Sequence, residues 1–484
     1  LTDLLTKIAE HAQRRPDAAA LVGADDRSIS WSELDDRVSR LTAGFAERGR
    51  RTGDRILIGI FKGTSALELY LAAQRAALVP VVVGPSAGPD LPMLIAEHRI
   101  AEAFVGPELR TAVVSGTRFD VDEAIPAVAY ATPSEIDGFV STRAGGVTSS
   151  LQFSTGSTGT PKTITRTVAG DFADAVNRCL AMGVREGDRW LCAAPKNTNV
   201  AIGALRCTLL MGGTVVLLDE VNPSAIERQT ADGISVMPLQ AHDWKTLLES
   251  PVAAKLSGRG LRIAVATGGR VDPAIMSRLD DVTVPGGSAL NIYGLTEAGS
   301  VAISTARSRA QAGRFAVGVP GPLVQVMIDA PEADSPGEVW VRGAAVSIPH
   351  GSTDGWLATG DLGTFDRNGN LEIHGRIADQ LQVGDDVVHP ASIEVQLCDV
   401  DGVSEALLLS GAVDHPGVRA VVVADGEVEP ASVMAALGQL AERVPVYRMD
   451  AFPRNNGGKT DRRAVAALDP AILTLVWEPS GVSA

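Results

Sequence analysis

Apolar and polar positions along this chain follow two rhythms. In the first two thirds, short apolar runs alternate with amphipathic helical stretches. Arg55-Ile56-Leu57-Ile58-Gly59-Ile60-Phe61 is apolar enough to be buried on both faces, a helix is predicted over 65–77, and another apolar strand over 79–83. The same rhythm returns with strands predicted over 189–194, 213–218, 234–237 and 261–266, with helices between them. Buried strands alternating with helices imply parallel sheets covered on both faces. Nearer the start, an amphipathic helix over 1–15 stops at Pro16, and a strand over 27–31 feeds a helix capped by Ser32, with Glu33 in its first turn.

From about Gly313 the texture changes. Strands over 324–328, 337–341 and 370–374 are short and separated by Gly, Pro and Asp turns, as in a small β-rich subdomain. A boundary falls at Gly375-Arg376-Ile377-Ala378-Asp379-Gln380. Beyond it come a helix over 390–397, strands over 406–410 and 419–423, and a Gly-rich run. No internal repeat is present. The predicted fold class is α/β, a large N-terminal domain of parallel βα-layered sheets plus a small β subdomain, followed by a small α+β C-terminal domain. The division reads 1–375 as the core, 376–380 as a hinge and 381–484 as the small domain.

Composition narrows the function more than the fold. A chain of 484 residues is too long for one hydrophobic core. Its 45% hydrophobic and 21% charged residues are ordinary for a globular enzyme. The net charge of −15 argues against nucleic acid or an anionic membrane surface as the main partner. Cys179, Cys192, Cys207 and Cys398 lack C-x-x-C spacing, as expected of reduced thiols in a cytoplasm. No signal peptide is recognisable and no apolar run would span a bilayer, so the expected location is cytoplasmic. The first residue is Leu1 rather than Met, as in a trimmed chain or a piece of something larger.

Five stretches carry chemistry. Ser154-Thr155-Gly156-Ser157-Thr158-Gly159-Thr160-Pro161-Lys162 follows an apolar strand and combines hydroxyls and glycines with one lysine. Glycine lets the backbone approach an anion, successive N–H groups form an anion-binding concavity, and the lysine adds charge. Thr160 and Pro161 between Gly159 and Lys162 exclude a Walker A loop. Asn291-Ile292-Tyr293-Gly294-Leu295-Thr296-Glu297 offers an aromatic face, a tight turn, a hydroxyl and a carboxylate; it reads as a base-and-phosphate site or as a strand end with a helix cap. Thr359-Gly360-Asp361 reads as a ribose-diol acceptor or an Asx turn. Gly375-Arg376 with Asp379 reads as a functional joint or a solvated salt bridge. Asn455-Asn456-Gly457-Gly458-Lys459 reads as a swinging lysine or a surface turn.

Together and in this order, these stretches resemble the adenylate-forming superfamily of acyl-CoA synthetases, peptide-synthetase adenylation domains and luciferases. The resemblance runs from Trp31 to Arg462. It implies activation of a carboxylate by ATP and Mg2+ to an acyl-adenylate with release of pyrophosphate, and a C-terminal domain that moves. By the same resemblance, Ser154, Thr155, Gly156, Ser157, Thr158, Gly159 and Lys162 form the phosphate loop, and Gly268, Gly269, Arg270 and Tyr293 flank adenine. Thr296 binds the α-phosphate, Glu297 holds Mg2+, Asp361 holds the ribose with Arg376 nearby, Asp379 is the hinge, and Lys459 is the catalytic lysine joining carboxylate and α-phosphate oxygens. Two anions meet in that step, so fixed positive charge is what catalysis requires.

Two runs are similar to those of stand-alone aryl-acid adenylating enzymes, the 2,3-dihydroxybenzoate and salicylate–AMP ligases. One is Pro161-Lys162-Thr163-Ile164-Thr165-Arg166-Thr167. The other is Ala194-Pro195-Lys196-Asn197-Thr198-Asn199, where Asn199 takes the position of an asparagine that contacts an ortho-hydroxyl. The resemblance implies substrate contact by Asn199, Thr198 and Gly294; Asn199 also reads as a loop residue bonding its own backbone. No Asp lies between Pro195 and Arg206, and an uncompensated buried ammonium is costly, which disfavours an α-amino acid. Thr198 and Val168 depart from histidines of the relatives. Gly384-Asp385-Asp386 adds acid to a strip that in relatives serves the thiol tunnel, so a carrier-protein phosphopantetheine is favoured over coenzyme A. Capture by an amine or another nucleophile stays open.

Two rivals lie outside this class. Gly84-Pro85-Ser86-Ala87-Gly88 fits G-x-S-x-G of serine hydrolases, but prolines at 85 and 89 suit a turn better than an elbow entering a helix. A non-catalytic nucleotide-binding relative would have no chemical need for Lys459.

Overall fold

The computed structural model describes residues 3–113, 117–120, 147–154, 162–267, 271, 273–309, 312–313, 315–332, 335–347, 354–411, 417–424, 426–454 and 460–479. It divides into two compact units. The first comprises Leu1–Met327, Trp340–Leu357 and Asp366–Leu371; the second comprises Ile328–Val339, Ala358–Phe365 and Glu372–Ala484.

The first unit opens with α1 (Thr6–Arg14), β1 (Ala19–Val22), β2 (Ser28–Ser30) and α2 (Trp31–Glu47). The cap of α2 is Ser30, not Ser32: Ser30 Oγ accepts from Glu33 N at 3.2 Å. The Ser30-Trp31-Ser32-Glu33 spacing is the capping-box pattern, which fixes the start two residues earlier. Next come β3 (Arg55–Gly59), α3 (Ser65–Arg75), β4 (Val79–Val82), α4 (Leu91–Glu97), β5 (Ile100–Val105), β6 (Thr117–Asp120), β7 (Thr148–Ser154) and β8 (Lys162–Thr167). These strands form one sheet in the order β6-β5-β3-β4-β7-β8. All its pairs are parallel except the β7–β8 hairpin.

The chain continues through α5 (Val168–Met182), β9 (Arg189–Cys192), α6 (Asn199–Met211), β10 (Thr214–Leu217), β11 (Val236–Gln240), β12 (Ile263–Thr267), β13 (Ser288–Leu295), β14 (Gly299–Ser304) and β15 (Ala316–Pro320). With β1 and β2 these strands pair in the order β15-β14-β13-β12-β11-β9-β10-β1-β2, parallel from β13 to β1. The two-residue period of a strand sends alternate side chains to opposite faces. Trp190, Val236, Ile263, Val265 and Leu290 therefore pack with Cys179, Ala204 and Cys207 of α5 and α6. Leu191, Met237, Leu239, Ala264 and Ala266 pack beneath helices that include Trp244 and Leu279. Ile56 and Ile58 of β3 share a core with Leu217 of β10 and Ile202 and Leu205 of α6, so α6 lies between the two sheets.

Gly84-Pro85-Ser86-Ala87-Gly88 follows β4 as a single 3-10 turn over Pro85–Ala87. α4 starts only at Leu91, so no helix enters directly from Ser86. In the second unit, Val403–Ser410, Val418–Ala424, Val446–Met449 and Thr474–Trp477 form a sheet in that order. The helices Pro390–Cys398 and Pro430–Leu437 pack on it through Leu397, Val433, Leu408 and Val422. The four cysteines are free thiols, and burial pushes Cys192 up to about 11.

Candidate active site

The candidate residues of the first unit collect at the carboxyl ends of parallel strands. β9 ends at Cys192 and leads to α6, whose first residue is Asn199. β13 carries Tyr293 and Gly294, ends at Leu295, and is followed by Thr296 and Glu297. β12 ends at Thr267, just before Gly268, Gly269 and Arg270, which lie outside the described residues. In the other sheet, β7 runs parallel to β4 and ends at Ser154. Open parallel sheets bind ligands at this edge, where loops and helix N-termini converge. Lys196 ties the two edges together. Its buried Nζ donates to Phe61 O, just past β3, at 2.6 Å, and pairs with Asp219, just past β10, at 3.1 Å.

Ser154 and Lys162 are register partners on the last rung of the β7–β8 hairpin. Lys162 is exposed at the root of the connection. Thr155, Gly156, Ser157, Thr158 and Gly159 lie within 155–161, outside the described residues. The hairpin root packs on a buried histidine: His98 Nε2 sits 3.3 Å from Thr163 Oγ1, and its ring lies 5.7 Å from that of Phe153.

Thr296 and Glu297 do not start a helix. They occupy the turn between antiparallel β13 and β14, half-buried, and Glu297 O accepts from Ser347 N at 2.7 Å. The hairpin closes only because residue 294 is glycine. A Cβ there would lie 2.4 Å from Gly299 O. Tyr293, one residue earlier, is half-buried beside a shift in register between β13 and β14.

Thr198 is the N-cap of α6. Its hydroxyl donates to Pro195 O at 2.7 Å and accepts from Ala201 N at 3.3 Å, so toward a ligand it can only accept. Asn197, beside it, packs against Gly84, where a Cβ would lie 2.8 Å from Asn197 Nδ2. Asn199 does not bond its own backbone. Its Oδ1 accepts from Arg206 Nη1 at 3.2 Å.

Arg206 belongs to a buried charged lattice that the sequence pattern did not reveal. Its Nη2 lies 2.9 Å from Asp171 Oδ1 and donates to Tyr70 Oη at 3.3 Å; its Nη1 lies 3.7 Å from Asp174 Oδ2. Arg166 Nε donates to Asp171 at 3.1 Å, and Arg178 Nε to Asp174 at 3.0 Å. Ser149 Oγ donates to Asp171 at 2.6 Å, and Ser300 N to Asp174 at 3.3 Å. Burial pushes the Asp174 carboxyl up, but Arg178, Arg166 and Arg206 outweigh it and hold it below the usual carboxylate range. Burial pushes the Tyr70 hydroxyl up and keeps it neutral. The lattice joins β8, α5, α6 and β14, so it braces the β7–β8 hairpin, the Asn199 segment and the Thr296–Glu297 turn against one another.

Asp361 and Arg376 belong to the second unit. Asp361 is buried on the strand Leu357–Phe365, and Arg376 Nε pairs with its Oδ1 at 2.7 Å from the end of Leu371–Arg376. Arg376 Nη1 also donates to Thr359 O at 3.3 Å. Asp379 closes the one-turn helix Ile377–Asp379. Asp386 pairs with Arg443 at 3.2 Å. Lys459 lies outside the described residues, but its neighbours close the segment: Arg454 and Thr460 form an antiparallel bridge.

The AMP-binding enzyme family model matches residues 8–348. The chain belongs to the AMP-binding enzyme family. Phenyloxazoline synthase MbtB of Mycobacterium tuberculosis is 27% identical over 94% of this chain, which spans 34% of that relative's length. The 2-succinylbenzoate–CoA ligase of Bacillus subtilis is 25% identical over 95% of this chain and 97% of its own. The solved structure of ATP-bound MatB from Rhodopseudomonas palustris superposes with a TM-score of 0.83 at 23% identity, covering 96% of this chain and 98% of that one, which shows the shared fold. The sequence resemblance implies ATP and Mg2+ as the ligands of a site in this family. The chain's residues fit that pair. The described residues hold no cluster of three or more His, Cys, Asp or Glu able to cage a metal. Mg2+ bound with a nucleotide would need no such cluster, since one protein carboxylate suffices, and Glu297 on its turn would hold it. The ion would neutralise phosphate charge.

Proposed function

We propose that this ligase activates a benzoate-like aryl acid and passes the acyl group to the phosphopantetheine thiol of a carrier protein. The observation that carries the adenylating site is the gathering of Asn199, the Tyr293–Glu297 turn and the phosphate hairpin at the carboxyl edges of two sheets tied by Lys196. In this reading Ser154 through Gly159 and Lys162 cradle the phosphates, and Gly268, Gly269, Arg270 and Tyr293 flank adenine. Thr296 binds the α-phosphate, Asp361 and Arg376 serve the ribose, and Asp379 is the hinge of a small domain over 381–484. Lys459 supplies positive charge to the acid and α-phosphate oxygens as they approach. Asn199, Thr198 and Gly294 line the acid.

The aryl acid is supported by the Pro195–Asn199 run and by the lack of a carboxylate there to pair an ammonium. Coenzyme A is the second acceptor reading. It is favoured by pairing of Asp386 with Arg443, which offsets acid in the strip thought to meet the thiol. Acid-dependent ATP–pyrophosphate exchange over benzoates, aliphatic acids and amino acids tests the reading, and exchange with aryl acids is expected. Lys459→Ala should lower that exchange by roughly 100-fold or more with an unchanged unfolding midpoint. Normal acyl-AMP formation by this variant would remove Lys459 from catalysis.

A further inference from the structure

We infer that Asn199 reads the acid as a hydrogen-bond donor, through Nδ2, and that Arg206 is the positioning residue that enforces this polarity. The inference rests on the placement of Asn199 in the acid pocket proposed above. It sets the substrate class more narrowly, as acids bearing an acceptor oxygen opposite Asn199.

The argument begins with what a guanidinium cannot do. Arginine has five N–H donors and no acceptor, so the asparagine atom facing it must be the carbonyl oxygen. The amide orientation is therefore dictated by chemistry rather than chosen. Arg206 cannot turn away to release it, because Asp171 and Tyr70 hold its Nη2, the Asp174 carboxylate lies 3.7 Å from Nη1, and the side chain is buried. Asn199 itself is half-buried at the first position of a thirteen-residue helix. No hydrogen bond to a described residue uses its Nδ2.

Two further features favour an acceptor at this place. The lattice behind Asn199 holds three arginines, Arg166, Arg178 and Arg206, against two aspartates, Asp171 and Asp174, with Tyr70 neutral. The excess is one positive charge. The N-terminus of α6 adds the positive end of a helix dipole. A carbonyl, ether, hydroxyl or carboxylate oxygen would be attracted there, while an ammonium or amino group opposite Asn199 Nδ2 would meet a donor.

The test is pyrophosphate exchange with matched acids: 2-methoxybenzoate, 2-ethylbenzoate and 2-aminobenzoate in the aryl series, methoxyacetate and butanoate in the aliphatic series. The wild-type enzyme should favour the ether oxygen over its methylene counterpart roughly tenfold in kcat/KM, the worth of one good hydrogen bond. Asn199→Asp keeps an oxygen for Arg206 but presents a second acceptor, so it should erase or invert that preference and raise the relative rate of 2-aminobenzoate. Arg206→Lys should flatten the preference through the acid KM; a melting curve checks its fold, and the Asn199→Asp result stands without it. A wild-type preference for the methylene or amino acid, or a ranking untouched by Asn199→Asp, overturns the inference. Inversion seen only in the aliphatic pair upholds it and discards the aryl acid. Absence of exchange with every acid overturns both.

Discussion

Two carboxylate–guanidinium systems in this chain use the same chemistry for opposite ends. Behind Asn199, Asp171 and Asp174 share Arg166, Arg178 and Arg206 with every side chain at least nine-tenths buried. In the second unit, Asp361 is equally buried, but its partner Arg376 is 50% exposed. Burial makes the first system a brace: removing one charge strands the others in a medium that cannot solvate them. Water at Arg376 makes the second exchangeable, since a half-exposed guanidinium can leave its carboxylate at little cost when another donor arrives. A ribose diol, the ligand proposed for Asp361, would be such a donor. One arrangement fixes its surroundings, and the other leaves a buried carboxylate held by a guanidinium that solvent reaches.

The largest effect should come from breaking the brace. Asp171→Ala is expected to cost about 3–5 kcal/mol, read by chemical denaturation, because Arg166 and Arg206 would remain buried without it. Loss of less than about 1 kcal/mol would mean that water reaches the lattice and that the contrast between the two systems is false. Asp361→Asn should do the reverse, raising the ATP KM roughly tenfold while the unfolding midpoint barely moves. A smaller effect is expected of Arg376→Met: a modest rise in ATP KM that shrinks as salt is added, because exposed charges are screened.

The smallest effect separates the brace from ordinary titration. Asp174 has a depressed value in the fold, so its contribution is complete above the unfolded carboxylate value, about 3.9, and fades only as pH falls through the folded value. Burial lowers His11, His98 and His374, so the unfolded chain takes up protons first. Their contribution is whole above about pH 6.5 and is lost as pH falls below it. A shallow fall in unfolding midpoint from about pH 7 to 5.5 should therefore survive Asp174→Asn unchanged in slope. A slope that disappears in this variant would place the titration in the lattice.

The layered fold was legible because buried parallel strands are written as continuous apolar runs. The predicted strands at 55–61, 189–194 and 261–266 were found within two residues of their ends. The lattice was not legible. Arg166, Asp171 and Arg206 come from separate elements, and each alone looks like a solvated position. One trace was present. Asp171, Asp174 and Arg178 fall at spacings of three and four on α5, next to Ala175 and Cys179, where an amphipathic helix should turn an apolar stripe inward. Thr296 and Glu297 misled for another reason, since a hydroxyl and a carboxylate suit a hairpin turn as well as a helix start.

Lys196 bears on how this enzyme can diverge. Its ammonium spans Phe61 O and Asp219, which lie beyond the carboxyl edges of the two sheets, and so acts as a gauge block for the spacing between those edges. A descendant that changed residues on the surrounding loops would inherit the same spacing. One that replaced Lys196 would release it in a single step, so the spacing of the edges and the chemistry displayed on them are set at different positions and are open to selection separately.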